Sequence, residues 1–462
     1  MRLQSMAIAV ALAGCATLGC GKSGSDDDKQ KAPTPTAAGA EGAASAGADP
    51  DLVAFIAKVK AVDNHTHVNA VAPQDPDSDA LPLETIFPFE IPTRLRPDSM
   101  AWVQAFKAVY GWTHDEVNDK LMPELQGLIE KTQKEQGEKF PTWVLDKIGT
   151  EVMLANRVAM GPGLEAPRFR WVSFVDALTL PLSTKNEQKA SPDRAKLYPP
   201  LEKLQKRYMD DLKVAKLPAS LDGYLKDVVT ATLEKQKKEG VVAVKFEAAL
   251  VRSLDFADVP KETASKVYAK FSQTGVPSRA EYKALQDYIF RHIAREAGRL
   301  GLAVHIHSFE APGMFFDASG ANPMLLEPVF NDPDLRKTNF VIIHGGGSFH
   351  DATGAMLWKP NVMADMSAMS LFYPPNRLAE VIRPWLIEFP EKVLFGTDAA
   401  TLGPGVGWEL GAWIGTNTAR QALAIALTDM MESGEVSAAR AQEIATMVLR
   451  GNASKLYKLD LK

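Results

Sequence analysis

The amino-acid sequence predicts an α/β protein, a (β/α)8 TIM barrel with a helical insertion after its first strand, and three observations carry that expectation. From residue 51 onward, short β-branched runs alternate with longer amphipathic stretches, the pattern of βα units around a parallel sheet. The strand candidates number eight, which is the number that closes such a barrel. The first of them runs into His65-Thr66-His67 rather than into the Gly-rich phosphate loop that marks a doubly wound open sheet.

In chain order the candidate strands are 59–65, 150–155, 170–176, 241–247, 302–308, 339–344, 361–366 and 393–398. Helices are expected at 201–214, 221–238, 260–272, 279–299, 375–388, 415–431 and 437–450, several opening on Ser, Asp or Pro and closing near Gly. The segment of about 71–149 between the first two strands contains Trp102, Tyr110, Trp112 and Trp143. An insertion after a barrel strand is expected over the C-terminal mouth, as a lid. No internal repeat is visible.

The chain has 462 residues, 46% of them hydrophobic, which suffices for one large barrel domain over 51–462. A net charge of −5 with Lys and Arg dispersed leaves no basic stripe, which argues against nucleic acid as a partner. Both cysteines, Cys15 and Cys20, lie in the first twenty residues, so the folded part relies on packing and on any metal. Residues 1–20 have the layout of an export signal: Arg2, an apolar run from Leu3 to Ala13, then small residues around a cysteine. Leu12-Ala13-Gly14-Cys15 resembles the bacterial lipoprotein box, with Leu18-Gly19-Cys20 a poorer match. The expectation is lipidation at Cys15 and an envelope location, periplasm-facing or on the outer surface, with membrane contact through the lipid alone. Residues 21–50 are Gly, Ala, Ser, Asp and Pro with almost no large apolar side chain, a tether with an r.m.s. span of about 30 Å.

Several strand candidates close on a metal-ligand residue type. On a strand, His65 and His67 share one face, and neutral imidazole suits a divalent ion such as zinc. His305 and His307 also share a face; the one nearer the C-terminal end, His307, is the expected ligand, and His305 a deeper hydrogen-bonded core residue. His344 closes its strand before Gly345-Gly346-Gly347, where the backbone can turn sharply. Lys245 shares a face with Ala243 and Glu247; inside a barrel it must be neutral, paired or chemically modified, and a salt bridge to Glu247 or Asp398 is the structural alternative. Asp398 ends the eighth strand and could bind metal with one oxygen while accepting a proton on the other. Arg157 and Arg252 follow strands and are candidates for a substrate carboxylate, against the commoner role of surface arginines. His350 is a further candidate for the mouth; His114 and His292 lie in helical context and read as structural or solvated.

With these residues in view, the chain resembles the amidohydrolase superfamily, in the amidohydrolase-2 branch of metal-dependent TIM-barrel enzymes. The matching positions are His65-Thr66-His67, Lys245, His307, His344 and Asp398, with further similarity at 321–326, 344–346, 361–365 and 449–453. The resemblance implies one metal held by His65, His67, His307 and Asp398, with His344 orienting water or substrate. Its other form is two metals bridged by a carboxylated Lys245, with His344 as an additional ligand. It implies a metal-dependent hydrolase that activates water against a C–N or C–O bond of a small carbonyl substrate, Asp398 taking the proton and Asp398 or His344 returning one to the leaving group. Decarboxylases of the branch usually lack the lysine. A decarboxylase on the same barrel is the runner-up, and a metal-binding lipoprotein without catalysis is the third reading.

Overall fold

A computed structural model describes residues 47–72, 74–82, 92–310, 315–401 and 406–461. Cys15 and residues 21–46 of the expected tether lie outside them. Nine strands, β1 (Ala61–His67), β2 (Thr150–Arg157), β3 (Phe169–Phe174), β4 (Ala243–Phe246), β5 (Ala303–His307), β6 (Phe340–Ile343), β7 (Val362–Asp365), β8 (Val393–Leu394) and β9 (Ala399–Ala400), form one sheet. Its order is β8-β7-β6-β5-β4-β3-β2-β1-β9, parallel throughout.

The two outermost strands are pieces of one: only residues 395–398 separate them. Across that break β1 bonds both sides, Asn64 N–H donating to Phe395 O at 2.9 Å and Asp398 N–H to His65 O at 2.8 Å. The sheet is therefore a closed eight-stranded ring with an interrupted last strand. The interruption has a local cause, because Gly396 lies where any Cβ would come within 2.9 Å of the Asp365 carboxylate, and Asp398 takes a left-handed φ of +61°.

The expected helices surround this ring, including Tyr198–Asp211, Lys261–Phe271, Arg279–Leu300 and Pro375–Glu388. Among them, Trp408–Glu432 begins seven residues before the expected start at 415. Gly411 and Gly415 do not break it. They admit the barrel wall instead, since a Cβ on Gly415 would meet Thr397 at 2.9 Å.

Inside the ring, Val62, Leu154, Val172, Ala243, Ala303, Val341 and Leu394 pack on Ala453, Tyr457 and Leu459, so the C-terminal segment closes the floor. Among the described residues, no helix is long and apolar enough to cross a membrane.

The described insertion helices Met100–Tyr110, Met122–Gln136 and Phe140–Ile148 share one apolar cluster with the start of Trp408–Glu432 and with Val68 and Ala70 just past β1. They build a second apolar core, in which Trp102 and Trp112 are buried and which includes Met153, Ala155 and Phe169 of β2 and β3. Aromatic side chains in that number need a wall to bury against, and the barrel flank supplies it.

Candidate metal centre

β1 sets the geometry of the site through a break in its ladder. Asp63 faces Met153 but Thr66 faces Ala155, so three steps on β1 are matched by two on β2. Such a bulge re-aims the residues after it. Val62 and Asn64 face the barrel interior below it, and His65 and His67 both turn inward above it, with their Nε2 atoms 3.3 Å apart.

Around those two nitrogens, Asp398 Oδ1 lies 3.2 Å from His65 Nε2 and 3.5 Å from His67 Nε2, and Lys245 Nζ lies 3.2 Å from His65 Nε2. A tetrahedral ion with ligand bonds of about 2.1 Å has donor atoms about 3.4 Å apart. The donors thus already stand at coordinating separations. A second pair faces them: His344 Nε2 and His307 Nδ1 are 3.2 Å apart, and ligand atoms of His65, His344 and Asp398 fall within 4.8 Å of one another.

The tautomers follow from the surrounding hydrogen bonds. His67 Nδ1–H donates to Asp79 Oδ2 at 2.6 Å, leaving Nε2 as a lone pair. His307 Nε2–H donates to Phe309 O at 3.1 Å, leaving Nδ1 free to ligate. His344 Nδ1–H donates to Ser367 Oγ at 2.9 Å, and the Ser367 hydroxyl donates onward to Asp365 Oδ1 at 2.7 Å. Partners of this kind orient metal-binding imidazoles. His65 Nδ1 sits 2.8 Å from the Asn156 amide, whose buried Oδ1 has no partner among the described residues. The Asn156 nitrogen that faces His65 Nδ1 also donates to Thr66 O at 2.9 Å, which holds the amide in this orientation.

Burial, then the Lys245 charge, hold His65 and His307 well below the usual imidazole range; for His344, burial and then His307 do so. All three are therefore neutral, the form that binds metal. Burial pushes Asp398 up to about 6 against the opposing charges of His67 and Lys245. A cation must displace that proton below this pH, so apparent zinc affinity is expected to fall by about tenfold per unit as pH drops below about 6 and to be flat in this group above it. Calorimetric titrations at a series of pH values check this; an affinity unchanged between pH 5 and 7 contradicts it.

The backbone is strained where two of the candidate ligands sit. His344 and Asp398 both have left-handed φ, +68° and +61°, as does Ala368 at +56°. Such conformations cost about 1–3 kcal/mol each and persist where the surroundings enforce them. After His344, Gly345 combines φ of +54° with a position where a Cβ would lie 2.5 Å from Met369 Cε and 2.9 Å from Asp365 O. Gly345→Ala is expected to destabilise the fold by about 2–4 kcal/mol, read by denaturant unfolding.

The structure thus brings together His65, His67, Lys245, His307, His344 and Asp398. It does not bring the two arginines to them. Arg157 is fully buried, with Nη1 and Nη2 on the Asp75 carboxylate at 2.9 and 2.6 Å, Nη1 also on Val68 O and Nε on Ala159 O. Arg252 is held by Asp287 at 2.6 Å and Gln286 at 3.1 Å. Arg157 is the last residue of β2 and Arg252 caps the short helix after β4, and both are tied to neighbouring carboxylates. His350 pairs with Asp351, His114 with Glu124, and His292 with Thr230, all outside the cluster. His305 is buried below it, with Nε2 2.7 Å from the Tyr457 hydroxyl.

The salt bridge weighed for Lys245 is not formed with Glu247, whose Oε2 is buried without a partner among the described residues. Burial and the neighbouring Asp79 charge push Glu247 well above the usual carboxylate range. Sequence reasoning missed Asp79, Asn156, Asp365 and Ser367. Asp365 alone carried a signal, as the last residue of β7.

An amidohydrolase family model, Amidohydro_2, matches residues 214–459, slightly more than half of the chain and inclusive of Lys245, His307, His344 and Asp398. No curated protein sequence matches the chain. Among solved structures, a glucuronate isomerase from Caulobacter crescentus is similar with a TM-score of 0.62 at 13% identity, over 91% of this chain and 96% of its own. A proposed metal-dependent hydrolase from Lactobacillus casei aligns with a TM-score of 0.59 at 15% identity, over 88% and 97%. A uronate isomerase from Thermotoga maritima gives 0.58 at 14%, over 90% and 99%. Identities this low carry the fold alone.

Proposed function

The chain belongs to the Amidohydro_2 family of amidohydrolases, and from that premise we propose that it is a metal-dependent hydrolase acting on a C–N or C–O bond of a small carbonyl substrate. The observation that carries this reading is the convergence of His65, His67, Lys245 and Asp398 at 3.2–3.5 Å separations opposite the His307–His344 pair. Six donors exceed what one tetrahedral ion takes, which favours two ions with a carboxylated Lys245 between them, and the imidazole-rich set suits zinc.

A divalent ion bound there supplies Lewis acidity towards a carbonyl and lowers the pKa of water from 15.7 to roughly 7. The chain's own groups do the rest. Asp398, 22% exposed where His65 is fully buried and His344 nearly so, faces the approaching substrate and takes the proton from the attacking water. Asp398 or His344 returns a proton to the leaving nitrogen or oxygen, and Asp79 holds the His67 ring in register.

Metal analysis of the purified chain, an intact-mass measurement for a carboxyl group on Lys245, and a panel of amides, esters and lactones test this. Chelator-sensitive turnover of the panel is expected. Release of carbon dioxide without net addition of water would move the assignment to a decarboxylase, and a protein that retains no ion under any loading condition would remove it. The proposal includes export and lipidation at Cys15, for which acyl chains on a mature chain beginning at that residue are the expected mass-spectrometric result.

A further inference from the structure

We propose that the C-terminal helix Asn452–Tyr457 is a positioning element of the metal centre, acting through a hydrogen-bond chain from the Tyr457 hydroxyl through Asn64, Asp365 and Ser367 to His344. This rests on the metal-centre reading above, since it assigns the chain the task of holding His344 Nε2 as a lone pair.

The direction of every proton in the chain is fixed by the groups themselves. Asp365 Oδ1 accepts from His344 N–H at 2.8 Å, from Ser367 N–H at 3.2 Å and from the Ser367 hydroxyl at 2.7 Å, and Oδ2 accepts from Asn64 Nδ2 at 2.8 Å. With four donors converging on it, Asp365 acts as acceptor only. Asn64 must therefore point its nitrogen at Asp365 and its oxygen at Tyr457, which donates to it. The Tyr457 oxygen then accepts from His305 Nε2–H at 2.7 Å. At the other end, Ser367 has its one hydroxyl proton on Asp365, so its oxygen can only accept, and it accepts from His344 Nδ1–H.

The consequence is a His344 ring locked in one tautomer with Nε2 aimed at His307 Nδ1, 3.2 Å away. The environment enforces it, because Asn64, Asp365 and Ser367 are fully buried, His344 is 2% exposed and Tyr457 6%. With no water at hand, each unmade bond costs about 1–3 kcal/mol. Tyr457 belongs to the segment that closes the barrel floor, packed with Ala453, Val62 and Val341. The floor and the catalytic mouth are thus joined by a polar thread through the middle of an apolar barrel, and the last helix of the chain holds its lower end.

The test uses the full chain labelled with 15N-histidine, metal-free, together with calorimetric zinc titration. Tyr457→Phe is expected to turn the single Nδ1–H tautomer of His344 into a mixture and to weaken the zinc site containing His344 by about three- to tenfold, less than the 10- to 100-fold typical of losing a direct partner. Ser367→Ala, at the upper end, should show that larger loss. Leu459→Ala loosens the same floor without touching the thread and should lower Tm while leaving tautomer and affinity alone. The inference is overturned if Tyr457→Phe keeps the wild-type tautomer and affinity, or if Leu459→Ala reproduces its losses. Wild-type protein that binds neither zinc nor any other divalent ion would defeat the proposed function, and the tautomer readout would still decide for or against the thread.

Discussion

Asp398→Asn is expected to lower kcat by about 10²- to 10⁴-fold on whichever ester, amide or lactone the wild-type enzyme turns over, the range that a positioned proton-transfer group contributes. The choice of Asn matters. Asp398 has φ of +61°, a conformation Asn tolerates well, and its N–H bond to His65 O is a backbone contact that the substitution keeps. A fold defect is therefore not built into the variant. Asn still offers an oxygen to an ion, with less charge, so metal content should fall less than turnover does. What disappears is a group able to accept a proton on the open side of the site. Metal-free Asp398→Asn should be at least as stable as wild type near pH 7, because burial has pushed this carboxyl up to about 6 and its ionisation opposes folding above that pH. Unimpaired turnover with full metal content would sink the assignment of Asp398 as the base. A binding protein without catalysis would instead show unchanged ligand affinity in this variant and no turnover in either form.

The barrel was legible in the sequence because parallel strands buried on both faces must be apolar runs, and several of these end on a polar residue that the C-terminal mouth can use. His65, His67, Lys245, His307, His344 and Asp398 were singled out by that rule, and their side chains converge. Its limits are physical. Strand alternation places His65 on the face of Asp63, yet both His65 and Asn64 serve the interior, because the ladder shift between Asp63 and Thr66 re-aims the chain in a way that no residue type announces. The eighth strand reads as continuous over 393–398, but the packing of Gly396 on Asp365, residues about thirty positions apart, divides it. The same rule overreached at Arg157 and Arg252, because a guanidinium after a strand satisfies the nearest carboxylate first, and Asp75 and Asp287 are nearer than any substrate. Asp79, Asn156 and Ser367 act only through contacts between distant segments, which leave no mark on local pattern.

Lys245→Met should produce effects of opposite sign in the metal-free and metal-loaded states, and that reversal separates a ligand from a structural ion pair. Lys245 has no exposure, and its amine faces an imidazole nitrogen at 3.2 Å rather than a carboxylate. Its charge is among the causes that hold His65, His305, His307 and His344 low, so in the empty centre it works against four imidazoles. Met fills the same volume without that burden, and replacing buried charge by apolar packing is often neutral or stabilising by about 1–4 kcal/mol. Metal-free Tm should therefore hold or rise. On the proposed two-ion reading the loaded protein loses its bridging group: metal content should drop from two ions per chain to one, the ion left being the one on His65, His67 and Asp398, and kcat should fall by about 100-fold. Were Lys245 instead the partner of a buried carboxylate, its removal would strand that charge and cost about 3–5 kcal/mol in the metal-free fold. A large fall in metal-free Tm with two ions retained would show that Lys245 holds the barrel together and that the metals bind without it.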